Sequence, residues 1–150
     1  LSSLIIESLY LNGKLASETT LTAALVGAFD VPVVMATGDS GYIEHALEVL
    51  PNIETVTTKW DINTTSVRTM RPQASCQLIK EATCRALQRL NDFSPCKMEG
   101  KIDIEINFKK RDIAEKLSLL PLFKRTGPQT IQVLAKDIIE ASKILSFIIS

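Results

Sequence analysis

The sequence holds a single histidine, His45, so a metal site built from several histidines cannot be assembled within this chain. It has no surplus of charge either: 17 Lys+Arg stand against 17 Asp+Glu, with no basic run of the kind that tracks phosphates, which argues against nucleic acid as a partner. Long apolar runs are missing. The most hydrophobic stretches, residues 23–36 and 144–149, are interrupted or too short for the ~20 residues a bilayer crossing needs, so a soluble protein with no membrane partner is expected. Cys76, Cys84 and Cys96 are odd in number and form no C-x-x-C pair. That argues against a disulfide framework or a thiolate zinc knot and fits reduced, packed thiols in a cytoplasmic protein. No P-loop, dinucleotide glycine fingerprint, G-x-S-x-G elbow or H-E-x-x-H is present.

What is present is a rhythm of elements. At 150 residues and 45% hydrophobic content, the chain is long enough for one compact core. Residues 4–11 (LIIESLYL) are strand-like and run into Asn12-Gly13, a turn signal in which glycine takes positive φ without a Cβ clash. Leu21, Ala24, Leu25 and Ala28 follow at helical spacing behind Ser17, a capping residue type, and Asp30 with Pro32 ends that helix. Residues 32–37 form a short apolar run closed by Gly38-Asp39-Ser40, which suits a buried parallel strand. A helix over 41–50 and a β-branched strand over 53–59 come next. Residues 73–90, just after Pro72, set Cys76, Ile79, Ala82, Ala86 and Leu90 on one helical stripe. From Gly100 to Phe108 the pattern alternates, Ile102, Ile104 and Ile106 against Asp103, Glu105 and Asn107. A helix over 111–119, a loop over 121–128, a strand over 130–135 and a helix from Lys136 complete the chain.

The fold class these elements predict is α/β, a largely parallel sheet flanked by helices, with the core in residues 1–97 and a small α+β lobe in 98–150. Leu1 is not Met, and no signal-like segment precedes the first strand. The chain is therefore expected to be a fragment or processed product, truncated at its N-terminus, with an open sheet edge at residues 4–11 or 33–37.

Few residues carry chemistry by themselves. His45, beside Glu44 and near Glu48, reads as a solvent-facing helix position. Asp103 and Glu105, two apart on a strand, face the same way and read as its polar face rather than as metal carboxylates. Asn63-Thr64-Thr65 has the form of a glycosylation acceptor, but no secretory signal accompanies it. Asp39 sits where open α/β sheets gather ligands, beyond the carboxyl end of a strand, and can equally cap the helix after it. Glu18 follows Ser17 at a helix start, where the positive helix end favours a carboxylate by ~0.3–1 kcal/mol, a structural role on spacing alone.

A longer pattern changes the reading of Glu18. It comprises Leu11-Asn12-Gly13-Lys14-Leu15-Ala16-Ser17-Glu18, Leu21, Ala23, Gly27, Asp30-Val31-Pro32-Val33, Thr37-Gly38-Asp39, Pro51, Lys59, Pro72, Ala86-Leu87 and Lys136-Asp137. In order and spacing it resembles the DppA-type D-aminopeptidases, and the resemblance covers the whole chain. It implies a cytoplasmic peptidase with two zinc ions that removes N-terminal D-amino acids from small peptides and assembles as a homodecamer. This chain would be the C-terminal part, inactive alone. Glu18 matches the family's zinc-ligating glutamate. The resemblance places the other ligands in an upstream Asp-x-Glu and upstream histidines, with a catalytic histidine just before Leu1, so no catalytic residue is assigned here. Asp39 and Lys59 are implied to bind substrate or support the site or subunit contact. The family glycine before the ligand is Ser17 here, the glycine two residues after it is Thr20, and the following asparagine is Thr22. An arginine expected after Lys59 is replaced near Thr64, and a frequent second aspartate is Ser40. Two rival readings stay open: a catalytically inactive paralogue that keeps the oligomeric scaffold, and a non-enzymatic α/β binding module.

Overall fold

The structure is a computed structural model and describes residues 4–63 and 65–149. The expected chain break at Leu1, and Thr64 with the departure placed near it and the middle position of the acceptor triplet, lie outside the described residues. In chain order the elements are β1 (Ile6–Leu11), β2 (Lys14–Leu15), α1 (Glu18–Gly27), β3 (Met35–Asp39), α2 (Ser40–Val49), β4 (Glu54–Asn63), β5 (Ser66–Thr69) and α3 (Pro72–Gln88). After a 3-10 turn at Leu90–Asp92 come β6 (Ile102–Phe108), α4 (Arg111–Leu117), β7 (Lys124–Arg125), β8 (Thr130–Ala135) and α5 (Ile138–Ile149). They form two compact units, Leu1–Phe29 with Lys97–Ser150, and Asp30–Cys96.

The first unit is built on a five-stranded sheet in the order β2-β1-β6-β8-β7, antiparallel throughout. Its middle strand, β6, alternates as its sequence does: Ile102, Ile104, Ile106 and Phe108 are buried while the residues between them are half-exposed. Leu9 and Leu11 of β1, Ile131 and Val133 of β8, and Ala24, Ala114, Ala141 and Leu145 from α1, α4 and α5 complete one core. The opposite face carries polar cross-strand pairs, among them Asn107 donating to Ser8 Oγ at 2.9 Å and Gln132 donating to the Asp103 carboxylate at 2.9 Å. Asp103 is thus part of a polar sheet face, as its spacing predicts.

Asn12 and Gly13, with φ of 50° and 76°, form the two-residue turn between β1 and β2. Positive φ at both central positions is what a turn matched to strand twist requires. The turn is clasped to β6: Asn12 N–H donates to the Asp103 carbonyl at 2.8 Å, and Asp103 N–H donates to Asn12 Oδ1 at 2.8 Å.

The second unit holds a three-stranded sheet in the order β3-β4-β5. β3 and β4 run parallel, joined by α2, and β5 returns antiparallel to β4. Its core is smaller: Ala36, Ile43, Ala46, Ile53, Ala86 and Phe93. Glu54, at the start of β4, accepts from Arg89 Nη2 at 2.9 Å and Arg85 Nε at 3.1 Å, tying the end of α3 to the sheet. Arg89 also donates to the Asn52 carbonyl at 2.8 Å and lies 4.5 Å from the centre of the Phe93 ring.

Several expectations are corrected. The α/β class holds, but the sheets are mostly antiparallel, with β3–β4 the one parallel pair among the described residues. The reason is visible in β6, since clean alternation marks a strand with one dry face, the habit of antiparallel sheets, whereas parallel strands are buried on both faces. Compactness also groups the chain differently from a division into 1–97 and 98–150, because β1 pairs with β6 and carries the N-terminal residues into the unit of the last third. β3 starts at Met35 rather than near Pro32, which has no N–H to give a ladder. It lies at an edge of its sheet among the described residues, while β1 is flanked on both sides. On the predicted α3 stripe only Ala82 and Ala86 are buried; Cys76 and Cys84 are exposed rather than packed. No helix among the described residues is long and apolar enough to cross a membrane.

Two outcomes follow from this packing. Ile104→Ala empties a fully buried site between β1 and β8 and should lower unfolding free energy by about 2–5 kcal/mol, read from urea denaturation. The Arg89 guanidinium, and after it that of Arg85, hold the Glu54 carboxyl below the usual carboxylate range. A depressed folded pKa contributes stability above the unfolded pKa that is lost as pH falls through the folded value. The urea midpoint should therefore drop on acidification, and Glu54→Gln should flatten that part of the profile.

Candidate functional site

Glu18 is the first residue of α1, and the local sequence fixes it there. Ser17, with extended backbone, is the N-cap, and its Oγ accepts the Thr20 N–H at 3.2 Å. Thr20 answers, its Oγ1 accepting the Ser17 N–H at 3.2 Å, so two orphan donors of the helix end are satisfied reciprocally. Thr19 and Ala23 turn inward, which leaves Glu18 on the exposed side of the first turn. It stands at the rim of a depression of about 180 Å³ lined by Leu21, Thr22 and Leu25 of α1 and Leu145, Ser146 and Ile149 of α5. A carboxylate here is both accessible and favoured by the helix end.

Asp39 and Lys59 belong to the second unit, and there the structure brings them together. The parallel pairing of β3 with β4 sets Asp39 in register with Lys59, just past an irregularity at Gly38. Asp39 ends β3 and caps α2, accepting the Tyr42 N–H at 2.8 Å. Both readings of Asp39 therefore meet at one place, a cap at the carboxyl ends of the parallel pair, where open α/β sheets hold ligands. Two neighbours escape a reading of the sequence. Thr58 donates to the Gly38 carbonyl at 3.2 Å, and the Tyr42 ring lies 2.7 Å from where a Cβ on Gly38 would stand, so the ring occupies space that only glycine leaves. The glycine before a capping Asp was the one available signal.

His45 differs from expectation. Its Nδ1 lies 3.3 Å from Glu48 Oε2, but the ring is partly covered and its Nε2 is buried with no hydrogen-bond partner among the described residues. Among the described residues, no three His, Cys, Asp or Glu side chains stand together as a metal site. A zinc site takes about three protein ligands with an open position or four without one. The described residues alone do not furnish that set.

The fold is shared with part of a solved peptidase. The chain matches the solved Zn-dependent D-aminopeptidase DppA from Bacillus subtilis, described as a self-compartmentalizing protease, with a TM-score of 0.90 at 30% identity over 96% of this chain and 53% of that one. The D-aminopeptidase of Bacillus subtilis (strain 168) is 33% identical over 133 residues, 88% of this chain and 48% of the relative. The profile of the D-aminopeptidase family matches residues 1–147, and the chain belongs to that family. It spans about half the length of these relatives.

Asp39→Ala removes the α2 cap and should cost about 0.5–2 kcal/mol in thermal or urea unfolding, while Asp39→Asn keeps an accepting oxygen and should restore most of that loss.

Proposed function

We propose that this chain is part of a zinc-dependent aminopeptidase that removes N-terminal D-amino acids from small peptides, acting in the cytoplasm as a homo-oligomer. The observation that carries the reading is the family match over residues 1–147, within which Glu18 opens a capped helix with an accessible carboxylate. In this reading Glu18 gives one ligand to a two-zinc centre, and the remaining ligands come from outside the described residues. Bound zinc supplies an electrophile for the peptide carbonyl and an activated water. The residues of this chain do the positioning. Ser17 and Thr20 hold the first turn of α1 and so the backbone from which Glu18 projects. Asp39 and Lys59, in register on β3 and β4, serve in this reading to bind substrate or to support the site or subunit contact.

The test uses the protein as expressed from its own gene, with zinc content and hydrolysis of D-alanyl peptides as readouts. Glu18→Gln should lower both, zinc affinity by at least about tenfold, with far-UV circular dichroism unchanged. Full zinc content and rate in that variant would remove Glu18 from the centre. A parent protein that assembles but neither holds zinc nor cleaves the peptides would be a scaffold paralogue instead.

A further inference from the structure

The depression beside Glu18 lies in the seam between α1 and α5. On α1, Glu18, Leu21 and Leu25 stand at i, i+3 and i+7, and on α5 Leu145 and Ile149 stand four apart, spacings that set each group on one face of its helix. The groove therefore leads away from the start of α1 for about 10 Å, at about 1.5 Å of rise per residue. Its walls are largely aliphatic. Glu18 is the one charged residue in them, and the Ser142 and Ser146 hydroxyls have carbonyls of their own helix one turn back to bond to.

We propose that this groove takes the side chain of the substrate's N-terminal D-residue, and that the side chain it selects is neutral and apolar, of leucine or phenylalanine size. The inference rests on the role given to Glu18 in the proposed function. Reach supports it: in an N-terminal residue the side chain springs from the atom next to the reacting carbonyl carbon, so it must find room beside the groups that hold that carbonyl. Size narrows the occupant. A dry cavity of about 150 Å³ with aliphatic and aromatic walls holds one benzene molecule, and this depression measures about 180 Å³. Larger ligands call for pockets of about 300–1,000 Å³, so one side chain fits here and a peptide or a helix does not. Charge narrows it further. A basic or acidic side chain would leave water and meet no counter-charge, because the one carboxylate in the walls is already engaged in that reading. An alanyl methyl would leave most of the groove unfilled.

The test compares D-leucylglycine with D-alanylglycine on the zinc-loaded protein expressed from its own gene. The parent should favour D-leucylglycine in kcat/KM by at least about tenfold, the scale on which apolar pockets tell side chains apart. Ser146→Phe and Thr22→Leu fill the groove from opposite walls, both at exposed positions that tolerate a larger side chain. Each should cut the D-leucyl value at least about tenfold more than the D-alanyl value. Isothermal titration calorimetry with free D-leucine and D-alanine reads the same preference without turnover: D-leucine should bind the parent more tightly, and both variants should lose the difference. A parent indifferent to the two side chains in either measurement, or variants that lower both values alike, overturn the pocket and leave the peptidase reading intact. A parent that cleaves neither dipeptide removes the proposed function, and the pocket falls with it.

Discussion

The antiparallel pairing of β1 with β6 is the constraint on which the rest of the structure depends. It joins the two ends of the sequence into one sheet and leaves residues 30–96 to form a unit of their own between them. Both strands put aliphatic side chains on the face that α1, α4 and α5 cover, and the Asn12-Gly13 turn fastens β1 to β6 by two hydrogen bonds of 2.8 Å. A one-residue slip would turn Ile102, Ile104 and Ile106 to the polar side, so the register is strongly specified. α1 follows the β1–β2 hairpin directly, and the position of Glu18 is therefore inherited from turn geometry and strand register rather than from the helix itself.

A different constraint places Asp39 and Lys59. Parallel strands cannot be joined by a tight turn; they need a crossover, and α2 is that crossover. The arrangement sets the carboxyl end of β3 in register with Lys59 of β4, and α2 starts from Asp39 at that same point. Capping and candidate function coincide at both sites. Ser17 caps the helix that Glu18 opens, and Asp39 is itself a cap, because a helix start offers an accessible carboxylate a favourable field and a defined backbone.

Much of this was legible in the residues, and the legible parts are local. Ser17 as a cap, Asn12-Gly13 as a turn and residues 130–135 as a strand depend on neighbours within a few positions, so propensity and periodicity suffice. Glu18 at a helix start was readable for the same reason, and the long motif gave the family to which the chain belongs. The short strands β2, β5 and β7 were not, since two to four residues carry no period and exist only because a longer strand lies beside them. The adjacency of Asp39 and Lys59 depends on register across a crossover, which neither residue reports.

The sequence by itself determined where the chain bends, which residues open its helices and that β6 has one dry face. Only the tertiary structure decided which strand lies beside which, and in what direction. Alternation says that a face must be covered without saying by what, and β1 reaches β6 only after the whole second unit has been traversed. The α3 stripe makes the same point from the other side. Spacing defined an apolar face from Cys76 to Leu90, and packing covered it only at Ala82 and Ala86, because burial depends on a neighbour's presence, which no periodicity encodes.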